Sequence, residues 1–385
     1  MKIADVVIVG GGVIGASIAF ELAAEKLDVL LLDRQQPGRE ASWAAAGMLS
    51  PGPDSADALP LVPLAKESMG LYSEFIAAVE SLSGKTVGFA RKGTLEIFTE
   101  SDSDSELRKM LEQYKASGLA IEPVSPDVAR KAEPALGRAV RAAAWLSQEA
   151  TLDPRMLMDA LLTAAQHRGV EIHHDSPVAR ILLNGNRCTG VIAGEKSVAA
   201  KCVIIAAGCF SGSIDWLSRY APARPVRGQM LALESKEVPL GRTLRSSKAY
   251  LVKRPTGRII AGSTLEEAGF EKHVTAAGVH KILDGVLEMV PALANAQLVD
   301  AWAGLRPGTP DHLPVLGPTD VRGLYMATGH YRNGILLAPA TAKLLSQWIL
   351  GGKPELNVEQ FSPLRFSVAQ PRTPKTASAI SGAER

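Results

Sequence analysis

Gly10, Gly12 and Gly15 stand in the pattern Gly-x-Gly-x-x-Gly directly after the apolar run 5–9, and an acid, Asp33, follows at roughly the 20-residue spacing of a dinucleotide fingerprint. Each glycine has a mechanical use: a tight turn, close approach of backbone to a pyrophosphate, and close packing of helix on strand. The free N–H groups of the following helix face the phosphates. The carboxylate reaches a ribose 2′-hydroxyl, which argues against a bound 2′-phosphate. This chemistry recognises the ADP half common to NAD and FAD and does not separate the two.

The elements that must hold these residues follow from patterning. Residues 5–9 are a β-branched run suited to a strand buried on both faces, 13–25 form a helix of small and apolar residues, and 28–32 a second strand ended by Asp33. The segment 39–51 is built of small residues with a hydroxyl at Ser42, which permits close backbone contact with a ligand. Helices are expected over 61–83, 103–117, 125–133, 154–168 and 275–289, the third capped through Ser-Pro-Asp and the fourth entered through Asp153-Pro154. A strand pair is expected over 86–99 around Lys92-Gly93. Strands are expected at 170–174, 178–183, 189–193 and 198–206, the last running into Gly208 and rejoining the first sheet. Those at 225–233, 249–253 and 258–262 make an antiparallel sheet. A strand at 323–329, a loop and a helix from about 335 to 350 return at the far end. The tail from 367 is rich in Pro, Ser, Thr and Ala and reads as disordered.

Composition narrows the partner. A chain of 385 residues corresponds to about 2.6 average domains. With 42 basic against 40 acidic residues it carries +2, and no basic block marks a nucleic-acid or membrane surface. The apolar stretch 6–20 is interrupted by glycines and is too short for a spanning helix, so it reads as mature structure rather than a leader. Three cysteines, Cys188, Cys202 and Cys209, without a CxxC pair fit a reducing, cytoplasmic setting and no metal site. No Ser-His-Asp order, HExxH or paired-carboxylate pattern stands out, and no catalytic side chain is assigned.

Four segments, 6–33, 41–51, 302–311 and 329–341, together resemble the FAD-dependent D-amino-acid oxidase superfamily and, within it, the glycine oxidases associated with thiamine biosynthesis. The most specific are Trp302-Ala303-Gly304-Leu305-Arg306-Pro307-Gly308-Thr309 and Gly329-His330-Tyr331-Arg332-Asn333-Gly334-Ile335-Leu336-Leu337-Ala338-Pro339. The resemblance implies an α/β fold: a Rossmann-like FAD-binding domain with an inserted antiparallel-sheet (α+β) substrate domain. The FAD domain would take residues 1–50, 151–220 and 301–366, and the substrate domain most of 51–150, with crossing helices, and 221–300. It implies contact with FAD for Val13, Ile14, Asp33, Arg34, Ala41, Ser42, Ala46, Gly47, Met48, Val178 and the run His330, Tyr331, Arg332, Asn333, Gly334, Ile335 and Leu336, joining Gly10, Gly12, Gly15 and Gly208. Arg306 and Arg332 match positions that hold substrate, and Tyr250 a tyrosine above the flavin. Leu265 stands where a glycine oxidase has methionine, a departure that bears on pocket width.

By side-chain type alone Arg306 reads as a surface arginine beside a turn. Within the family's motif its planar fork can bind both oxygens of a substrate carboxylate. The helix from about 335 would aim its N-terminus at charge that develops on a reduced flavin. The implied reaction is oxidation of glycine, sarcosine or a short D-amino acid by hydride transfer to flavin N5, giving glyoxylate or another oxo acid, ammonia and, with oxygen, hydrogen peroxide. Residues 300–312 hold no cysteine, so FAD is expected to be non-covalent. The expected partners are a small amino acid and oxygen, with no nucleic acid, no stable membrane insertion and, by resemblance, a homotetramer. A D-amino-acid dehydrogenase passing electrons to a quinone or protein stays open, as does a non-enzymatic dinucleotide binder.

Overall fold

The computed structural model describes residues 3–53 and 56–369. Strand Ala4–Val9 lies between Val29–Leu32 and Lys196–Ile205, parallel to both. Glu171–His173 and Leu324–Thr328 extend this sheet in parallel on its two sides, and Val315–Pro318 closes one edge antiparallel. A hairpin, Val178–Asn184 with Arg187–Ala193, joins antiparallel to the start of Lys196–Ile205. Val6, Val7 and Ile8 are almost wholly buried, as a central strand covered on both faces requires. Helices Val13–Ala24, Val62–Ser83, Pro154–His167 and Gly334–Ile349 bury their apolar faces in one core on this sheet.

The second sheet runs in the order Gln297–Gly308, Arg224–Glu234, Ile259–Gly262, Tyr250–Lys253, Thr243–Arg245, Thr94–Thr99, Val140–Leu146 and Glu122–Val124. Helix Ala276–Met289 shares a core with it. Neighbours pair antiparallel except Thr243–Arg245 with Thr94–Thr99, which pair in parallel. The expected antiparallel sheet is thus mixed at one seam, because a strand from an earlier part of the chain joins its edge.

Local signals hold well where they are strong. The Ser125 hydroxyl accepts the Val128 N–H at the start of Pro126–Ala132, and the Asp153 carboxylate accepts the N–H groups of Arg155 and Met156 at the start of Pro154–His167. The strand pair expected around Lys92-Gly93 is not formed. Only Thr94–Thr99 is a strand, and Ala90 instead bridges to the distant Thr151. Gly93 adopts φ 71°, where an added Cβ would meet Trp145 at 2.8 Å. Strand Val140–Leu146 is absent from the sequence reading because its run of alanines, 142–144, carries no β-signal; pairing on both sides imposes the conformation. The tail read as disordered from 367 begins inside a 3₁₀ turn, Pro363–Ala369, and its remainder, 370–385, lies outside the described residues.

Candidate active site

A cavity of about 390 Å³ lies between the C-terminal ends of the parallel strands and one face of the second sheet. Its nucleotide end is built by the glycine turn. Gly10 adopts φ +108°, and a Cβ there would lie 2.5 Å from the Ala206 carbonyl oxygen. Helix Val13–Ala24 starts at this turn with no side-chain cap from Gly12. The Ser42 hydroxyl accepts the Val13 N–H at 2.9 Å instead. Asp33 accepts the N–H of Gly11 at 2.6 Å and of Gln35 at 3.0 Å. Burial raises the Asp33 carboxyl above its ordinary range, while those two donors pull it down. The Arg34 guanidinium stacks 3.5 Å over the Phe210 ring, whose other neighbour is Phe270 at 5.0 Å. Lys272 pairs with Glu40 at 3.0 Å, so the loop that follows Ile259–Gly262 touches the nucleotide end through residues 270 and 272.

Of the residues the sequence reading assigned to the dinucleotide, Gly10, Gly12, Val13, Ile14, Asp33, Arg34, Ala41, Ser42, Ala46, Gly47, Met48, Val178, Gly208 and the run 330–335 all line this cavity. Gly15 and Leu336 stand outside that lining. Gly15 lies behind the turn, where a Cβ would sit 1.9 Å from the Gly10 carbonyl oxygen, so it lets helix and turn pack. Leu336 is buried at 2% exposure, and its carbonyl accepts the Ser68 hydroxyl at 2.6 Å. The Tyr72 hydroxyl donates to the Ile335 carbonyl. Helix Val62–Ser83 therefore fixes the first turn of Gly334–Ile349, whose N-terminus opens on the cavity. His330 is 3% exposed with Nε2 3.0 Å from the Thr341 hydroxyl. Burial pushes His330 down to about 3, so the ring stays neutral at ordinary pH.

The other end is made by side chains of the second sheet. Arg306 lies flat over Gly228, where a Cβ would come within 2.2 Å of Nη1. It donates to the Thr264 carbonyl at 3.1 Å and to the Ser263 hydroxyl at 2.8 Å. Among the described residues no carboxylate forms an ion pair with Arg306, although burial lowers its pKa from the ordinary arginine value. Tyr250 leans over Gly262 with its hydroxyl 3.1 Å from the Met230 sulfur. Tyr331, in the left-handed region at φ 50°, holds the loop to the arginine strand through its N–H on the Pro307 carbonyl. Arg332 lines the same space. Leu265, expected to bear on pocket width, is 51% exposed and off the cavity wall; Ser263 stands there instead. The sequence reading also missed Ser50, Phe210 and Arg245. Ser50 adjoins the small-residue segment, whereas Arg245 carried no local signal.

A group that needs close backbone approach, a helix N-terminus and a half-buried acid fits the nucleotide end, since side chains at Gly10 or Gly15 would collide with backbone. Residues 5–348 match the family described as FAD dependent oxidoreductase. The chain is 36% identical over 370 residues to the bifunctional protein ThiO/ThiG of Synechocystis, covering 94% of this chain and 54% of that protein. It thus spans about half the length of such bifunctional relatives. It is 33% identical to the glycine oxidase of Pseudomonas aeruginosa, covering 93% of this chain and 98% of that one. The solved glycine oxidase of Geobacillus kaustophilus superposes with a TM-score of 0.90 at 30% identity, covering 95% and 99% of the two chains. With the glycine turn, the half-buried acid and the returning helix all meeting in one cavity, the chain belongs to the FAD dependent oxidoreductase (DAO) family, and FAD is its cofactor.

Proposed function

We propose that the chain oxidises glycine and small related amines such as sarcosine and short D-amino acids, giving glyoxylate or the corresponding oxo acid, ammonia and hydrogen peroxide. The observation that carries this reading is Arg306: a guanidinium turned into the cavity with only neutral partners, beside the Tyr250 hydroxyl. A substrate carboxylate supplies the missing anion, and its second oxygen accepts from Tyr250. When bound, FAD supplies a two-electron acceptor for the α-hydrogen. Arg306 and Tyr250 then orient the substrate by one end, and neutral His330 is too weak a base to draw a proton from the amine. The first turn of Gly334–Ile349 presents its N–H groups to developing negative charge.

Non-covalent attachment is part of the proposal. Cys209 lines the cavity, but burial pushes its thiol up to about 12, which keeps it protonated and a poor nucleophile. Yellow colour left in an acid-precipitated pellet contradicts this. We also assign residues 1–50, 151–220 and 301–366 to an FAD-binding domain, and most of 51–150 with 221–300 to a substrate domain. The likeness to the ThiO half of a ThiO/ThiG protein supports a role in supplying thiamine thiazole synthesis.

The test is an anaerobic screen of glycine, sarcosine and D-alanine against the yellow protein. Bleaching of the flavin band by at least one, with peroxide release in air, is the expected result; failure of all three overturns the reading. Bleaching without rapid reoxidation in air favours a dehydrogenase with another electron acceptor.

A further inference from the structure

One row of residues crosses the second sheet in register: Trp302, Met230, Gly262, Tyr250, Arg245 and Glu96 are successive cross-strand partners. Partners in register share a face, so Arg245 stands next to Tyr250 on the side away from Arg306 and lines the same cavity. Three strand spacings, on the order of 14 Å, separate its strand from that of Gly228, over which Arg306 lies. A glycine held by Arg306 sits on the Arg306 side of Tyr250, with Arg245 on the other side. Arg245 therefore faces whatever extends beyond the carboxylate and the α-carbon.

The side chain is held on every edge. Its Nε donates to Glu96 at 2.6 Å, Nη1 to the Ser50 hydroxyl at 2.8 Å, and Nη1 and Nη2 to the two Glu149 oxygens at 3.2 and 3.1 Å. Glu149 is 2% exposed and is fixed in turn by Ser50 at 2.7 Å and Tyr114 at 3.3 Å. Residues from four separate chain segments thus hold one guanidinium in place, and swinging it aside breaks its ion pairs with two carboxylates. An apolar substituent reaching this wall strips water from a charged face and returns nothing; a short or polar one does not.

We propose that Arg245 is a specificity-determining residue, the end wall of the substrate space, which admits short or polar amino acids and rejects longer apolar ones. The inference rests on the amino-acid oxidase reading above. The variant Arg245→Met with Glu149→Gln removes the fork without stranding a buried charge at 149. In the FAD-loaded protein, its kcat/KM for D-norvaline relative to glycine should rise at least tenfold over wild type. A ratio unchanged within twofold overturns the proposal. If the double variant does not fold, Arg245→Gln with Glu149→Gln, which replaces the ion pair with a neutral hydrogen-bonding pair, should still raise the ratio severalfold, and an unchanged ratio there overturns it equally. Binding of acetate, propanoate, butanoate and pentanoate, read from the flavin spectrum, separates the two readings. In the double variant affinity should climb about fourfold per added CH₂, whereas wild type stays flat. The same flat series in both proteins, with glycine still bleaching the flavin, removes the wall and leaves the oxidase. A series that differs, with no amine oxidised, leaves the wall and removes the oxidase.

Discussion

At the nucleotide end of the cavity, the groups that face the ligand are largely backbone, set by a turn and a helix start within the first 33 residues and by Ser42 nearby. At the other end they are side chains: Tyr250 and Arg245 from two adjacent strands and Arg306 from a strand some tens of residues further along the chain, aligned by sheet register. Glycine serves both ends for different reasons. At Gly10 and Gly15 an added Cβ collides with backbone, which cannot yield without moving the strand or helix. At Gly228 and Gly262 it collides with the ends of Arg306 and Tyr250, which can move, so a substitution there disturbs the site rather than the fold. Stability is therefore concentrated at the first end and substrate geometry at the second.

The largest expected effect tests that division at the carboxylate end. Arg306→Ala leaves a substrate carboxylate without its partner, a loss of about 3–5 kcal/mol, or roughly two to three and a half decades in kcat/KM. FAD content and Tm should stay near wild type; glycine-dependent flavin reduction at the wild-type rate takes Arg306 out of the site. Next in size is Gly15→Ala, which forces helix and turn apart at a cost of about 1–3 kcal/mol, seen as a lower Tm and a weaker Kd for FAD. A variant with normal Tm and FAD affinity contradicts the packing role given to Gly15. Gly228→Ala should displace the Arg306 guanidinium and raise KM for glycine about tenfold while Tm holds; a fall in Tm with KM unchanged reverses the contrast between the ends.

A separate effect is one of pH. His330 is depressed to about 3 by burial, below the ordinary value of 6.5. Its contribution to stability is complete above about pH 6.5, because both states are then neutral. As pH falls toward 3 the unfolded chain takes up a proton that the folded chain refuses, and stability drops by up to about 1.4 kcal/mol per pH unit. His330→Gln should flatten the urea-unfolding profile between pH 6.5 and 4; an identical slope removes His330 as the source.

How much was legible in the sequence differs between the same two regions. The parallel strands, the capped helices and most of the nucleotide end were readable, and of the residues assigned there Gly15 and Leu336 sit behind the cavity wall rather than in it. The motif around Arg306 was readable only through a family likeness. Strand Val140–Leu146 and the absent pair at 86–99 were misjudged because alanines and a Lys-Gly turn follow their partners rather than their own preferences.

By itself the sequence determined the glycine turn, the acid that follows it and the helix starts, since these depend on φ, on the lack of a Cβ and on hydrogen bonds between residues close along the chain. Tertiary structure alone decided that Arg306 has no carboxylate partner among the described residues, that Leu265 faces away, and that Arg245 stands beside Tyr250 with Glu96 and Glu149 behind it. Those outcomes depend on strand register, which places residues far apart in the chain on one face and is set by the packing of the whole sheet.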